Sequence, residues 1–133
     1  MPGSNVETFR EITRQWQDRH RVAPELLADD VEWVNPPEAV EPGSRRGADA
    51  FNEAIAHIYE GWEESHFEPE RVVEDGDRLI ALGVLQVRGR EVGVDISREH
   101  GQIWTFRDGR AARVCWFNSH AETLAAAGLP SPP

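Results

Sequence analysis

The sequence predicts an α+β domain: a bent antiparallel sheet with three main helices grouped on its concave face around an apolar pocket. In the first half of the chain, apolar residues recur every three or four positions, the period of a helix with one buried face. From Phe67 onward they alternate every second position, the period of a strand. Asp-Gly pairs interrupt that alternation where hairpins turn. Consecutive hairpins imply antiparallel pairing, and the helices then share one face of the sheet.

Ser4 followed by Glu7 is a capping-box pattern, and Val6, Phe9, Ile12 and Trp16 follow at helical spacing, so a first helix is expected over about Asn5 to His20. Pro24 suits the first turn of a short second helix, Pro24 to Ala28. Val31 to Asn35 reads as a strand halted by Pro36 and Pro37, and the Pro- and Gly-rich stretch from Pro36 to Gly47 reads as a loop. A third helix is expected over about Ala48 to Glu64, with Phe51, Ile55, Ile58 and Trp62 as its buried stripe.

Strands follow at about Phe67–Glu74, Arg78–Val87, Val92–Arg107 and Arg110–Asn118, turning at Asp75-Gly76 and Asp108-Gly109 because Gly accepts the positive φ of tight turns. Gly101 suggests a bulge or bend that curls the long strand. Ser119 and Glu122 form a second capping box before a last helix over Ala121 to Ala127, which Gly128 caps and Pro130 stops. The pattern makes one domain over 1–133, with 130–133 a frayed tail.

The chain has 133 residues and a formal net charge of -10, from 24 acids against 14 bases. Its field repels phosphates and its arginines are scattered among acids, so no nucleic acid partner is expected. No apolar run reaches the ~18 residues that cross a bilayer, and the N-terminus lacks the charged and apolar blocks of a signal peptide. No membrane partner and a cytoplasmic location are the expectation.

There is no lysine, which excludes Schiff-base catalysis by a side-chain amine and a P-loop lysine. The single cysteine, Cys115, excludes an internal disulfide, and in an apolar strand it reads as an inert buried thiol. No group of histidines or acids has metal spacing, so neither a metal nor a cofactor is expected.

Both side-chain sets of the last three strands are largely apolar. Trp116 and Asn118 alternate with Cys115 and Phe117; Gln102 and Trp104 alternate with Ile103. One face packs on helices. The other needs cover, and a homodimer through the outer sheet face, over Phe117, Ile103 and Val84, would supply it.

Four segments carry a family likeness. They are Ala28-Asp29-Asp30-Val31-Glu32-Trp33, Arg46-Gly47-Ala48-Asp49-Ala50-Phe51, Gln102-Ile103-Trp104-Thr105-Phe106-Arg107-Asp108-Gly109, and Ala121-Glu122-Thr123-Leu124-Ala125-Ala126-Ala127-Gly128-Leu129. In this order and spacing, over nearly the whole chain, they resemble the SnoaL-like branch of the nuclear-transport-factor-2-like superfamily. The resemblance implies a cone-shaped half-barrel with an apolar cavity between sheet and helices, often as a dimer.

It also allows a residue-by-residue comparison with enzymes of that fold. Steroid isomerases place their proton-shuttling carboxylate where Asn35 stands, and their oxyanion-holding acid near Gln102. Epoxide hydrolases place the members of an Asp-Arg-Asp relay near Gly83, Leu85 and Asn118; Asn35 matches their water-holding Asn, with Trp33 in place of a Tyr. SnoaL-type cyclases carry a His close to Gln102 and an Asp close to Asn118. Amides therefore stand here where catalytic relatives keep carboxylates, and an amide both donates and accepts hydrogen bonds but takes no proton at neutral pH.

The expected ligand-binding residues are Trp33, Asn35, Gln102, Trp104, Trp116 and Asn118, with His57 overhanging the pocket. His100 shares the parity of Gln102 and Trp104 and is a candidate general base, but its neighbours Glu99 and Gly101 favour a solvent-exposed edge position over a catalytic one. Asp95 is a second candidate, at the rim. Two function classes follow. One is an isomerase, cyclase or hydrolase moving protons on a lipophilic, uncharged metabolite; the other is a ligand-binding or dimerisation module without turnover.

Overall fold

The computed structural model describes residues 4–37, 39, 43–91 and 93–130. In chain order the elements are α1 (Asn5–Arg19), a 3-10 turn (Pro24–Leu26), β1 (Leu27–Asn35), β2 (Gly43–Arg46), α2 (Ala48–Gly61), β3 (Glu64–Asp75), β4 (Arg78–Arg88), β5 (Asp95–Arg107), β6 (Arg110–Phe117) and α3 (His120–Ala127). The expected α+β architecture is present. One sheet of six strands runs in the order β2-β1-β6-β5-β4-β3.

Local chemistry explains where the helices begin and end. Ser4 Oγ accepts from the Glu7 amide at 3.1 Å and Ser119 Oγ from the Glu122 amide at 3.1 Å, as the two capping boxes require. Gly128 closes α3 with φ 74°, a left-handed conformation natural for Gly. The third expected helix, α2, stops at Gly61 rather than Glu64, and Trp62 is its C-cap. The chain turns there into β3, which starts three residues before Phe67, so Trp62 leaves the helical stripe. The second helix is shorter than expected because β1 already begins at Leu27. Part of the expected loop forms β2 against β1. Positions 38, 40–42, 92 and 131–133 lie outside the described residues, and with them part of that loop, the expected start of the long strand and most of the expected tail.

Four of the five strand pairings are antiparallel; β1 and β6 run parallel. Hairpins dictate direction between sequence neighbours, but β1 and β6 are separated by a helix and four strands, so no tight turn constrains them. The sheet's irregularities are not at Gly101, where register is continuous on both sides. They lie at Glu70, between Pro69 and Arg71, at Ala112, opposite the Thr105–Phe106 step, and between Leu27 and Glu32 of β1, opposite Ala111 to Arg113 of β6. Pro69 is accommodated because β3 is an edge strand. The first hairpin turns on Gly76-Asp77 rather than Asp75-Gly76, since Asp75 pairs with Arg78; the second turns on Asp108-Gly109, both with positive φ.

Two apolar clusters straddle the sheet. The larger joins Phe9 and Ile12 of α1 and Phe51 and Ile55 of α2 to Trp33, Leu79, Ala81, Trp104 and Val114 of the strands. The smaller joins Leu124 and Ala127 of α3 to Ile80, Leu82 and Ile103, residues of the opposite strand parity. The placing of all three helices on the concave face is therefore corrected for α3, which covers the outer side. Close packing made this possible. A side chain on Gly101 would put its Cβ 1.9 Å from Thr123 Oγ1, so α3 sits where only a glycine leaves room. Arg78 Nη2 also donates to the Ala127 carbonyl at 2.9 Å, tying the end of α3 to β4.

Candidate functional site

Between α1, α2 and the concave face of the sheet lies a cavity of about 570 Å³. Strand parity brings its lining together. In β5 the side chains of Arg98, His100, Gln102 and Trp104 face it; Leu85 and Val87 of β4, Val114 and Trp116 of β6 and Trp33 and Asn35 of β1 face it from neighbouring strands. Seven expected ligand-binding residues line it: Trp33, Asn35, His57, Gln102, Trp104, Trp116 and Asn118. His100 does too, and at 6 % exposure it is no edge residue. Asp95 does not. It lies at the start of β5 with its side chain 74 % exposed, 3.6 Å from Arg88 Nε, because β5 extends beyond the covered part of the sheet. His57 is exposed and engaged with Glu60 Oε2 at 2.9 Å.

The polar groups of the cavity are organised around three indoles. Asn35 Oδ1 accepts from Trp33 Nε1 at 2.8 Å and from Trp116 Nε1 at 2.7 Å. Gln102 Oε1 accepts from Trp104 Nε1 at 2.8 Å. Buried indole N–H groups need acceptors, and an amide two residues along the same strand points to the same side. Trp33-Val34-Asn35 and Gln102-Ile103-Trp104 are that pattern. The same spacing at Trp116-Phe117-Asn118 gives no such bond, since Trp116 has turned across to Asn35.

The chain of bonds continues to His100. An indole N–H only donates, so Gln102 must turn its carbonyl to Trp104 and its amide nitrogen to His100 Nε2, 3.2 Å away. His100 Nε2 is then the acceptor, and the ring proton sits on Nδ1. The ring lies between aromatics, edge-on to Phe67 at 5.0 Å and stacked with Trp116 at 5.9 Å. Burial among them, with lesser repulsion from Arg98 and His120, lowers its pKa from 6.5 to about 4. His100 is a neutral imidazole at pH 7. Two buried polar atoms here have no hydrogen-bond partner: His100 Nδ1 and Asn118 Oδ1.

Among the described lining residues there is no Asp or Glu; the charged ones are Arg45 and the exposed Arg98. Among the described residues no group of three His, Cys, Asp or Glu is placed to hold a metal. Cys115 faces the other side of the sheet, and burial pushes its thiol pKa up. Sequence reasoning missed Arg98, Phe67, Leu85 and Val87 as lining. The β-strand parity already applied to Gln102 would have found Arg98, and the wall residues shared a face with expected core.

Solved structures share this architecture. TerC, co-crystallised with polyporic acid, is 26% identical, with 94% of this chain and 96% of that one covered and a TM-score of 0.73. An NTF2-like protein of unknown function from Burkholderia pseudomallei K96243 is 25% identical, covering 91% and 95%, with a TM-score of 0.74. A candidate SnoaL-like polyketide cyclase from Jannaschia sp. CCS1 is 18% identical, covering 96% and 93%, with a TM-score of 0.75, and bears on the fold alone. No curated protein matches the chain with significance. Residues 7–114 match the SnoaL-like domain, and the chain belongs to that family.

Proposed function

We propose that the chain binds a lipophilic, uncharged small molecule in the cavity between α1, α2 and the sheet, and orients it through neutral hydrogen-bonding groups. The single observation that carries this is the cavity's chemistry: aromatic walls whose interior polar groups are amides and a neutral imidazole, with no carboxylate among the described lining residues. A cation entering it loses hydration with no carboxylate among the described lining residues to replace it, and an anion meets opposite charge only at Arg45 and the exposed Arg98, whereas an apolar body gains by burial against the tryptophans. That TerC was co-crystallised with polyporic acid supports small-molecule binding by this fold.

Proton transfer on such a molecule is the second reading, and His100 is the observation that favours it, being the titratable group deepest in the cavity. Its geometry suits a donor better than a base. Gln102 occupies the Nε2 lone pair, and Nδ1 already carries the proton. A group with a pKa of about 4 is moreover a weak proton acceptor at pH 7. In such an enzyme the imidazole would polarise a substrate oxygen, and the base would come from outside the described lining.

Native mass spectrometry of freshly purified protein tests binding directly. The wild type is expected to retain a small neutral molecule that leaves on denaturation. The variant Leu85→Trp, which fills the cavity from β4, is expected to carry none while keeping its circular dichroism. Equal retention by both would place the molecule elsewhere and end the proposal.

A further inference from the structure

We infer that His100 and Asn118 together form a docking point for a hydroxyl group of the ligand, which accepts from His100 Nδ1–H and donates to Asn118 Oδ1. This rests on the cavity being a ligand site, and it names the functional group that site selects. Gln102 pairs with Trp116 and Gly101 with Phe117, the last pair of the ladder, so His100 and Asn118 follow immediately beyond it on the two chains, and both line the cavity.

The two atoms are complementary and both unsatisfied. Nδ1 bears a proton because the Trp104–Gln102–His100 chain of bonds allows no other arrangement; it is a donor without an acceptor. Asn118 Oδ1 is an acceptor without a donor. Buried polar groups are nearly always paired, and one left unpaired points to a missing partner. A hydroxyl is the smallest group that satisfies both at once. A carbonyl or an ether oxygen satisfies only the donor.

The approach is also provided for. Neither atom is reached by solvent in this conformation, but Asn118 lies one residue beyond the end of β6, outside the ladder. Strand pairing does not hold its backbone, and its side chain has to turn aside for an oxygen to be admitted. His100 stays fixed, clamped by Gln102, Phe67 and Trp116. The imidazole thus sets the position and the amide closes over it.

Two measurements on the full chain test this. First, a long-range proton–nitrogen NMR spectrum of the histidine rings at pH 7 is expected to show His100 neutral with its proton on Nδ1. A proton on Nε2, or an imidazolium, overturns the inference. Second, 2-naphthol and 2-methoxynaphthalene are titrated separately, with the indole N–H signals of the five tryptophans reporting where they bind. The naphthol is expected to bind at least tenfold more tightly, and Asn118→Leu to remove that preference while leaving the ether's affinity unchanged. If both compounds bind in the cavity with equal affinity, the docking point is wrong and the cavity still stands as a ligand site. Should neither shift the indoles of Trp33, Trp104 and Trp116, the cavity proposal falls and this inference falls with it.

Discussion

Asn35 has a structural duty that its sequence position does not disclose. Its carbonyl oxygen satisfies the indole N–H groups of both Trp33 and Trp116. Asn35→Leu therefore strands two donors, one of them on a residue 5 % exposed, and is expected to cost about 2–6 kcal/mol by urea unfolding, at 1–3 kcal/mol for each unpaired group. A change below about 0.5 kcal/mol would mean that the indoles find other acceptors. His100 leads to a prediction about pH. Its native pKa is about 4 against 6.5 for the unperturbed group. Between those values the unfolded chain holds a proton that the native protein does not, so stability falls as pH drops from about 6.5 to about 4 and levels off below. The full effect is on the order of 3 kcal/mol. The groups that face this ring electrostatically, Arg98 and His120, remain in His100→Gln. The difference between wild-type and variant stability across that window thus isolates the ring; a flat difference curve would mean that His100 is not desolvated. Sequence parity put His100 on the face of Gln102 and Trp104. It did not show how deeply the ring is buried, because burial depends on Phe67 and Trp116 from other strands.

At the level of elements, two helix N-caps and the second hairpin turn were legible because they are local. Ser4 with Glu7, Ser119 with Glu122, and Asp108-Gly109 each act through bonds or dihedrals within four residues. What was not legible depends on distant partners: the parallel pairing of β1 with β6, and the side of the sheet on which α3 lies. Gly101 illustrates the difference. Along the chain it suggests a bulge, yet its role is to admit α3 against β5. Gly101→Ala is accordingly expected to destabilise the fold by about 2 kcal/mol or more through overpacking. Because Thr123 supplies all three of the closest atoms, Thr123→Gly should recover part of that loss despite the roughly 1 kcal/mol that a helical glycine costs. Strict additivity of the two substitutions in a double-mutant cycle would show that the contact is not what excludes a side chain at position 101.

For the molecule as a whole, α3 alters the case for a second subunit. Of the three outer-face residues expected under a dimer contact, Ile103 is already buried within the chain, while Val84 and Phe117 are half-buried. A dimer through that face is now carried by Val84 and Phe117 alone. Light scattering at micromolar concentration is expected to give twice the mass of 15.0 kDa; the mass of a single chain would withdraw the expectation. None of the described helices is long and apolar enough to cross a membrane. The cavity itself was foreseeable in position and in much of its lining, since alternating strands deliver side chains to a known face. Its volume was not, because volume depends on how far α1 and α2 stand from the sheet.

The central claim is that the cavity favours a neutral ligand although Arg45 and Arg98 line it. Calorimetric titration of 2-naphthol and of 2-naphthoate at pH 7 separates the possibilities most directly, since the two share an apolar body and differ in charge. A neutral interior predicts that the naphthol binds at least tenfold more tightly, the carboxylate losing hydration that the amides do not replace. Tighter binding of the naphthoate, lost in Arg98→Gln, would make the cavity an anion site and contradict the claim.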